Sequence, residues 1–199
     1  MRRWAEATPH QNAIQTLGRK PLTYRLLYDQ IEYVGKTLNE MGVGLNDVVA
    51  LVLPNSSELA VTFMGVASAA TSAPLNPNYT ESELQFYLSD MQAKAIIVLK
   101  GMESPAVNVA RTENIKIIEL ESQHWEPAGL FKLEGEKAEK AEKGGFAEPE
   151  DVALILHTSG TTSRPKLVPL THLNVCACSH SIKRVLQLNS SRARFSRKA

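Results

Sequence analysis

Asp47-Val48-Val49-Ala50-Leu51-Val52-Leu53-Pro54 is a run of six apolar residues held between an aspartate and a proline. The run does not alternate apolar with polar, so neither face is patterned for water. That is how a strand of a parallel sheet reads when both sides are covered. Pro54 has no N–H to give to a ladder and ends the strand. Upstream, Leu26, Leu27, Ile31, Val34, Leu38 and Met41 recur at three- and four-residue spacing and predict a helix with one apolar face. Thr23 is its expected N-cap and Gly42 its expected end. Downstream, Ser56 or Ser57 is placed to cap a second helix running to about Ala70. Its small residues, with Phe63 among them, suit close packing on a sheet.

The alternation continues. Residues 72–75 read as a short strand. Thr80-Glu81-Ser82-Glu83 matches a capping box, and the helix it opens carries Leu84, Tyr87 and Leu88 on one side. Residues 95–99 form another apolar run before Gly101, and Ile115, Ile117 and Ile118 give a β-like core to 114–120. Strand and helix in this order predict an α/β fold, a mostly parallel sheet with flanking helices. No internal repeat recurs at a fixed period. The pattern breaks over 121–150, where residues 133–143 alternate charge with almost no apolar content. Pairs of opposite charge at helical spacing would suit an exposed helix, and the stretch is expected to be a solvated excursion without a chemical role. Pro149-Glu150-Asp151 then leads into the strand-like Val152-Ala153-Leu154-Ile155-Leu156.

Bulk properties narrow the function classes. The chain has 199 residues, 43% apolar and 22% charged, with a formal net charge of +1. This suits a soluble globular protein and gives no global electrostatic case for nucleic acid or an anionic membrane. Cys176 and Cys178 are one residue apart, too close for an unstrained disulfide. No apolar h-region follows Arg2 and Arg3, so no secretory leader is read, and no apolar run is long enough to span a bilayer. A cytoplasmic protein is expected.

The chemistry is concentrated in Thr158-Ser159-Gly160-Thr161-Thr162-Ser163-Arg164-Pro165-Lys166. It follows the 152–156 strand, and Thr171 is placed to cap a helix holding Leu173, Ile182, Val185 and Leu186. The loop is thus expected between a strand and a helix, at the carboxyl end of a sheet strand, where open α/β sheets bind ligands. Gly160 lets backbone approach a phosphate closely. Thr158, Ser159, Thr161, Thr162 and Ser163 offer hydroxyl and amide donors, Pro165 stiffens the exit, and Lys166 supplies a positive charge for phosphate. It is not a P-loop of the G-x-x-x-x-G-K-[ST] kind, since no glycine precedes Lys166 and no Ser or Thr follows it. Composition alone also fits an ordinary polar loop.

With Leu156 before it and Val168-Pro169-Leu170-Thr171-His172-Leu173-Asn174 after it, the loop resembles the signature loop of the adenylate-forming (AMP-dependent) acyl-CoA synthetases. The T-S-G-T-T-S-R-P-K string is most similar to the oxalate–CoA ligase-like branch. Residues 47–55 (D-V-V-A-L-V-L-P-N) and 73–90 (A-P-L-N-P-N-Y-T-E-S-E-L-Q-F-Y-L-S-D) also resemble the family's N-terminal portion, in the same order. The resemblance implies a ligase that uses ATP with Mg2+ to turn a small carboxylic acid into an acyl-adenylate, then passes the acyl group to CoA. It implies that Thr158 to Lys166 contact the nucleotide phosphates. No catalytic residue is assigned, and oxalate and fatty acids both stay open as substrates. Peroxisomal members carry a C-terminal address, which makes the peroxisome the alternative location. Ser196-Arg197-Lys198-Ala199 is a poor one.

The sequence departs from the family at Ser163 and Leu167, where glycine is frequent. Leu167 is expected to add bulk beside the phosphates. The family's adenine, ribose and lysine motifs, which lie in later segments, have no counterpart here. The reading is therefore a partial AMP-binding domain over 1–189 with an atypical basic tail over 190–199, inactive by itself. Exposed sheet edges would then be open to association. The alternative is a non-catalytic fragment that retains nucleotide or partner binding. His172, Cys176, Cys178 and His180 cluster, but Cys178 leaves the face shared by the other three on a helix, so no metal site is assigned. His157 either lines the acyl or nucleotide pocket or is a buried, hydrogen-bonded histidine. Trp4 and Trp125 have no assigned role.

Overall fold

A computed structural model describes residues 1–158 and 165–187. The chain begins with α1 (Arg2–Ala7), a two-stranded antiparallel ribbon of β1 (Asn12–Ile14) and β2 (Leu22–Thr23), and α2 (Tyr24–Glu40). Thr23 caps α2, its hydroxyl accepting the Leu26 N–H at 3.3 Å. Leu27, Ile31, Val34, Leu38 and Met41 are buried as their spacing demands, while Leu26 sits at the rim. Gly42, at φ +80°, takes the left-handed conformation that turns the chain out of the helix.

The remaining elements are β3 (Val48–Val52), α3 (Ser57–Ala67), β4 (Thr71–Pro74), α4 (Glu81–Asp90), β5 (Ala95–Leu99), α5 (Pro105–Thr112), β6 (Lys116–Glu121), β7 (Lys132–Gly135), β8 (Val152–Thr158), β9 (Lys166–Thr171) and α6 (His172–Val185). Ser56, rather than Ser57, caps α3. The Thr80–Glu83 capping box opens α4. The described residues form a seven-stranded sheet in the order β7-β6-β5-β3-β4-β8-β9. Its inner five strands run parallel, and β7 and β9 are antiparallel at the two edges. The mostly parallel sheet with flanking helices read from the sequence is what forms.

Strand geometry explains the unbroken apolar run. Successive side chains of β3 point to opposite faces, so Val49 and Leu51 join α2 and α3 in one cluster with Leu27, Val34 and Leu38. Ala50 and Val52 join α4 and α5 in the other, with Leu84, Leu88 and Ala110. The helix pair on the first face packs closely at Gly65, where an added Cβ would fall 2.7 Å from the Val34 Cβ.

The stretch read as a solvated excursion is partly built into the core. Ala128, Phe131 and Leu133 are buried, and β7 pairs with β6. The Gln30 side chain donates to the Phe131 carbonyl at 2.9 Å. Residues 137–143 are not helical. The segment is tied to the end of α2: the Ala141 N–H donates to the Asn39 carbonyl at 3.0 Å, and the Leu45 N–H to the Lys143 carbonyl at 2.8 Å. No helix among the described residues is long and apolar enough to cross a membrane.

The setting of the loop also differs from the expectation. The loop after 158 does not pass straight into a helix. Residues 166–171 form an edge strand, β9, that pairs back on β8. Pro169 is tolerated there because an edge strand has one side free of ladder bonds. Thr171 still caps α6, and its N–H donates to the Asn174 side chain at 3.1 Å.

Candidate functional site

The five parallel strands present their carboxyl ends along one edge, and β8 brings Thr158 to it. The register pairs His157 with Leu167 and Thr158 with Lys166, so the two stems of the loop meet at Thr158 and Lys166. The Thr158 hydroxyl lies 3.4 Å from the Lys166 carbonyl, to which it donates. Thr158 and Lys166 are exposed at this mouth, and Pro165 is half-buried beside them. Ser159, Gly160, Thr161, Thr162, Ser163 and Arg164 lie outside the described residues. Leu167, expected to crowd the phosphates, is half-buried and packs against the cluster containing Ala50 and Ile155.

His157 proves to be the buried, hydrogen-bonded histidine. Its side chain is 6% exposed, and its Nε2 lies 2.9 Å from Asp90 Oδ2 at the end of α4. Tyr87 meets the ring edge-on with centroids 4.7 Å apart, and Tyr79 stacks on Tyr87 at 5.0 Å. Burial, together with a hydrogen bond to Tyr79, raises the Tyr87 phenol above its ordinary pKa. Asp90 is 67 positions from His157, so no local sequence pattern could join them. Tyr79 and Tyr87 flank the α4 capping box, but nothing in their spacing points to His157.

Clefts also open at the ends of β3 and β4. One of about 550 Å³ is lined by Leu53, Pro54, Asn55, Leu59, Leu75 and Asn76, among others. An apolar neighbour on α3 adds Phe63 and Met64. Both lie on the same edge of the sheet as the loop mouth. A larger cavity, about 880 Å³, sits under α5 beside β6 and β7, and its lining includes Ser104, Arg111 and Glu119. It is on the other side of the sheet's midline from the loop, so volume does not locate the chemistry here. His172 directs Nε2 to the Ala67 carbonyl at 2.8 Å, and His180 Nδ1 lies 3.2 Å from the Cys176 carbonyl. Among the described residues, no group of three or more His, Cys, Asp or Glu could hold a metal ion.

The model of the family described as AMP-binding enzyme matches residues 1–195. An oxalate–CoA ligase of Arabidopsis thaliana is 37% identical over 192 residues, covering 94% of this chain and 37% of the relative. An oxalate–CoA ligase of Saccharomyces cerevisiae is 39% identical over 165 residues, covering 71% of this chain and 30% of the relative. Among solved structures, ATP-bound MatB from Rhodopseudomonas palustris superposes with a TM-score of 0.71 at 25% identity, covering 89% of this chain and 35% of that one. The chain thus spans about a third of the length of the proteins it matches.

Proposed function

Because the chain belongs to the AMP-binding enzyme family, we propose that its 158–166 loop holds the β- and γ-phosphates of ATP in an adenylate-forming carboxylate–CoA ligase. The observation that carries this is the loop mouth, with Thr158 and the charge-bearing Lys166 exposed side by side at the carboxyl edge of the parallel sheet. In the reaction a carboxylate oxygen attacks the α-phosphorus, the α–β phosphoanhydride breaks, and pyrophosphate leaves. A thiol, CoA, then attacks the acyl carbon and AMP departs. The chain's own part is electrostatic. Lys166 balances charge on the leaving pyrophosphate, and Thr158, Ser159, Thr161, Thr162 and Ser163 supply donors around it. Gly160 allows backbone amides to come close, and Arg164 and Pro165 complete the exit of the loop. Mg2+ would arrive with the nucleotide, and no described residue is assigned to it. The acid is a carboxylic acid, with oxalate and fatty acids both open. The cytoplasm is the proposed location, with the peroxisome as alternative.

Titration of the purified chain with ATP–Mg2+ tests the reading. Lys166→Ala is expected to weaken binding about tenfold or more, the worth of a charge-assisted hydrogen bond. Lys140→Ala, in the charged stretch, is expected to leave it unchanged. ATP binding indifferent to Lys166 overturns the reading. Carboxylate-dependent pyrophosphate release is expected of a protein of the relatives' length and not of these 199 residues alone. Robust turnover by this chain would overturn that part.

A further inference from the structure

We propose that His157 and Asp90 form a positioning pair that fastens the stem of the 158–166 loop to α4 and so sets where Thr158 stands at the loop mouth. The positional half of this rests on the phosphate-holding reading above.

The loop stem needs such a fastening. β8 pairs with its inner neighbour β4 at Ser72 and Leu154, four residues short of the strand's end. From there to Thr158, its ladder partner is β9, an edge strand that carries the other stem of the same loop. The hairpin mouth therefore projects past the point where the sheet holds it. Leu156, in this projecting stretch, is 41% exposed. Among the described residues, the hydrogen bond that takes 156–158 outside its own hairpin is the one between His157 and Asp90.

The anchor at the other end is firm. Asp90 is the last residue of α4, whose Leu84 and Leu88 are fully buried. A carboxylate at a helix C-terminus faces the negative end of the macrodipole and is disfavoured there unless a donor answers it. The His157 Nε2–H is that donor, and Tyr87 and Phe86 hold the imidazole from the sides. The pair thus fixes a buried ring one residue before Thr158, on an element that belongs to the core rather than to the hairpin.

Two readouts test the proposal in the 199-residue chain. The first needs no nucleotide. In Asp90→Ala, amide exchange at Thr158 and Lys166 is expected to accelerate while Leu51 and Ile97 keep their protection. Unchanged exchange at the loop stem overturns the fastening. The second is ATP–Mg2+ affinity. Asp90→Ala and His157→Ala are each expected to weaken it about tenfold, and Asp90→Asn, which keeps an acceptor oxygen, by less than about twofold. In a Lys166→Ala background, Asp90→Ala is expected to add little, because a residue that acts through the loop has nothing left to position. Asp90→Ala at wild-type affinity, or a loss equal in both backgrounds, overturns the positional role while the phosphate-holding reading stands. Loss of the Lys166 effect itself overturns both.

Discussion

Arg19 joins three distant parts of the chain through one planar group. Its guanidinium pairs with the Glu58 carboxylate at the start of α3, and it donates to the carbonyls of Gln123, Glu126 and Pro127 at 3.2 to 3.3 Å. Glu58 also accepts from the Gly129 N–H at 3.1 Å and the Ser57 hydroxyl at 3.0 Å. Both side chains of the pair are about nine-tenths buried. Removing one partner would leave the other charge buried without an answer. Arg19→Ala is therefore expected to cost about 3–5 kcal/mol in urea unfolding at pH 7. Burial pushes the Glu58 carboxyl up, but hydrogen bonds from Arg19, its own backbone, Gly129 and Ser57 together outweigh that and leave it below its ordinary value of 4.5. A depressed carboxyl stabilises the fold above the unfolded value and loses that contribution as pH falls through the folded one. Glu58→Gln should remove part of the acid sensitivity below about pH 4.5, which unfolding midpoints at pH 7 and pH 3.5 would show. A pH dependence identical to wild type would refute it. None of this was legible beforehand. Arg19 and Glu58 are 39 positions apart, and the carbonyls that Arg19 reaches are 104 to 108 away. No periodicity records such a contact.

Elements were legible where the code is local. α2, β3 and α4 declare themselves through a 3.6-residue apolar period, an unbroken apolar run and a capping box, each contained within a single window of sequence. β7 and β9 were missed because each exists only by pairing. Lys132–Gly135 is polar apart from Leu133, and Lys166–Thr171 contains a proline, so neither has a strong strand pattern of its own. The closeness of α2 to α3 is likewise a contact property with a local trace, a single glycine. Gly65→Ala tests it. Helix propensity alone favours alanine by about 0.8–1.0 kcal/mol. The new Cβ would fall 2.7 Å from the Val34 Cβ, and Val34 is fully buried and branched at that carbon, so it cannot swing aside. Overpacking of this kind costs about 1–3 kcal/mol, so net destabilisation is expected. Pairing Gly65→Ala with Val34→Ala should recover part of the loss, and a strictly additive double mutant would mean that the two helices do not meet there.

Across the whole molecule the candidate site sits on the less consolidated side. β3 and β5 lie between two apolar clusters, and Leu51, Ile96 and Ile97 are fully buried. Towards the loop the cover thins. Ala153 and Ile155 are buried, Leu156 is not, and α6 buries no residue at all. Leu173 is 58% and Val185 79% exposed on that helix, apolar surface that suits contact with further protein. The loop stem was legible as a strand end followed by phosphate-binding residue types. Its thin apolar cover was not, because burial of Val152–Thr158 depends on neighbours that a strand pattern cannot count. Stability should follow this gradient. Opening energies approach the global value where burial is complete and fall where apolar contacts are few. Native-state hydrogen exchange is therefore expected to place the β3 and β5 amides in the slowest class, exchanging only with global unfolding. α6 and the β8–β9 hairpin are expected to open well below that energy. If α6 amides exchange only with those of β3, the molecule is one cooperative unit and the gradient is refuted. If the gradient holds, ATP–Mg2+ should slow exchange at the hairpin before it alters β3, because a ligand stabilises most visibly the part that it contacts.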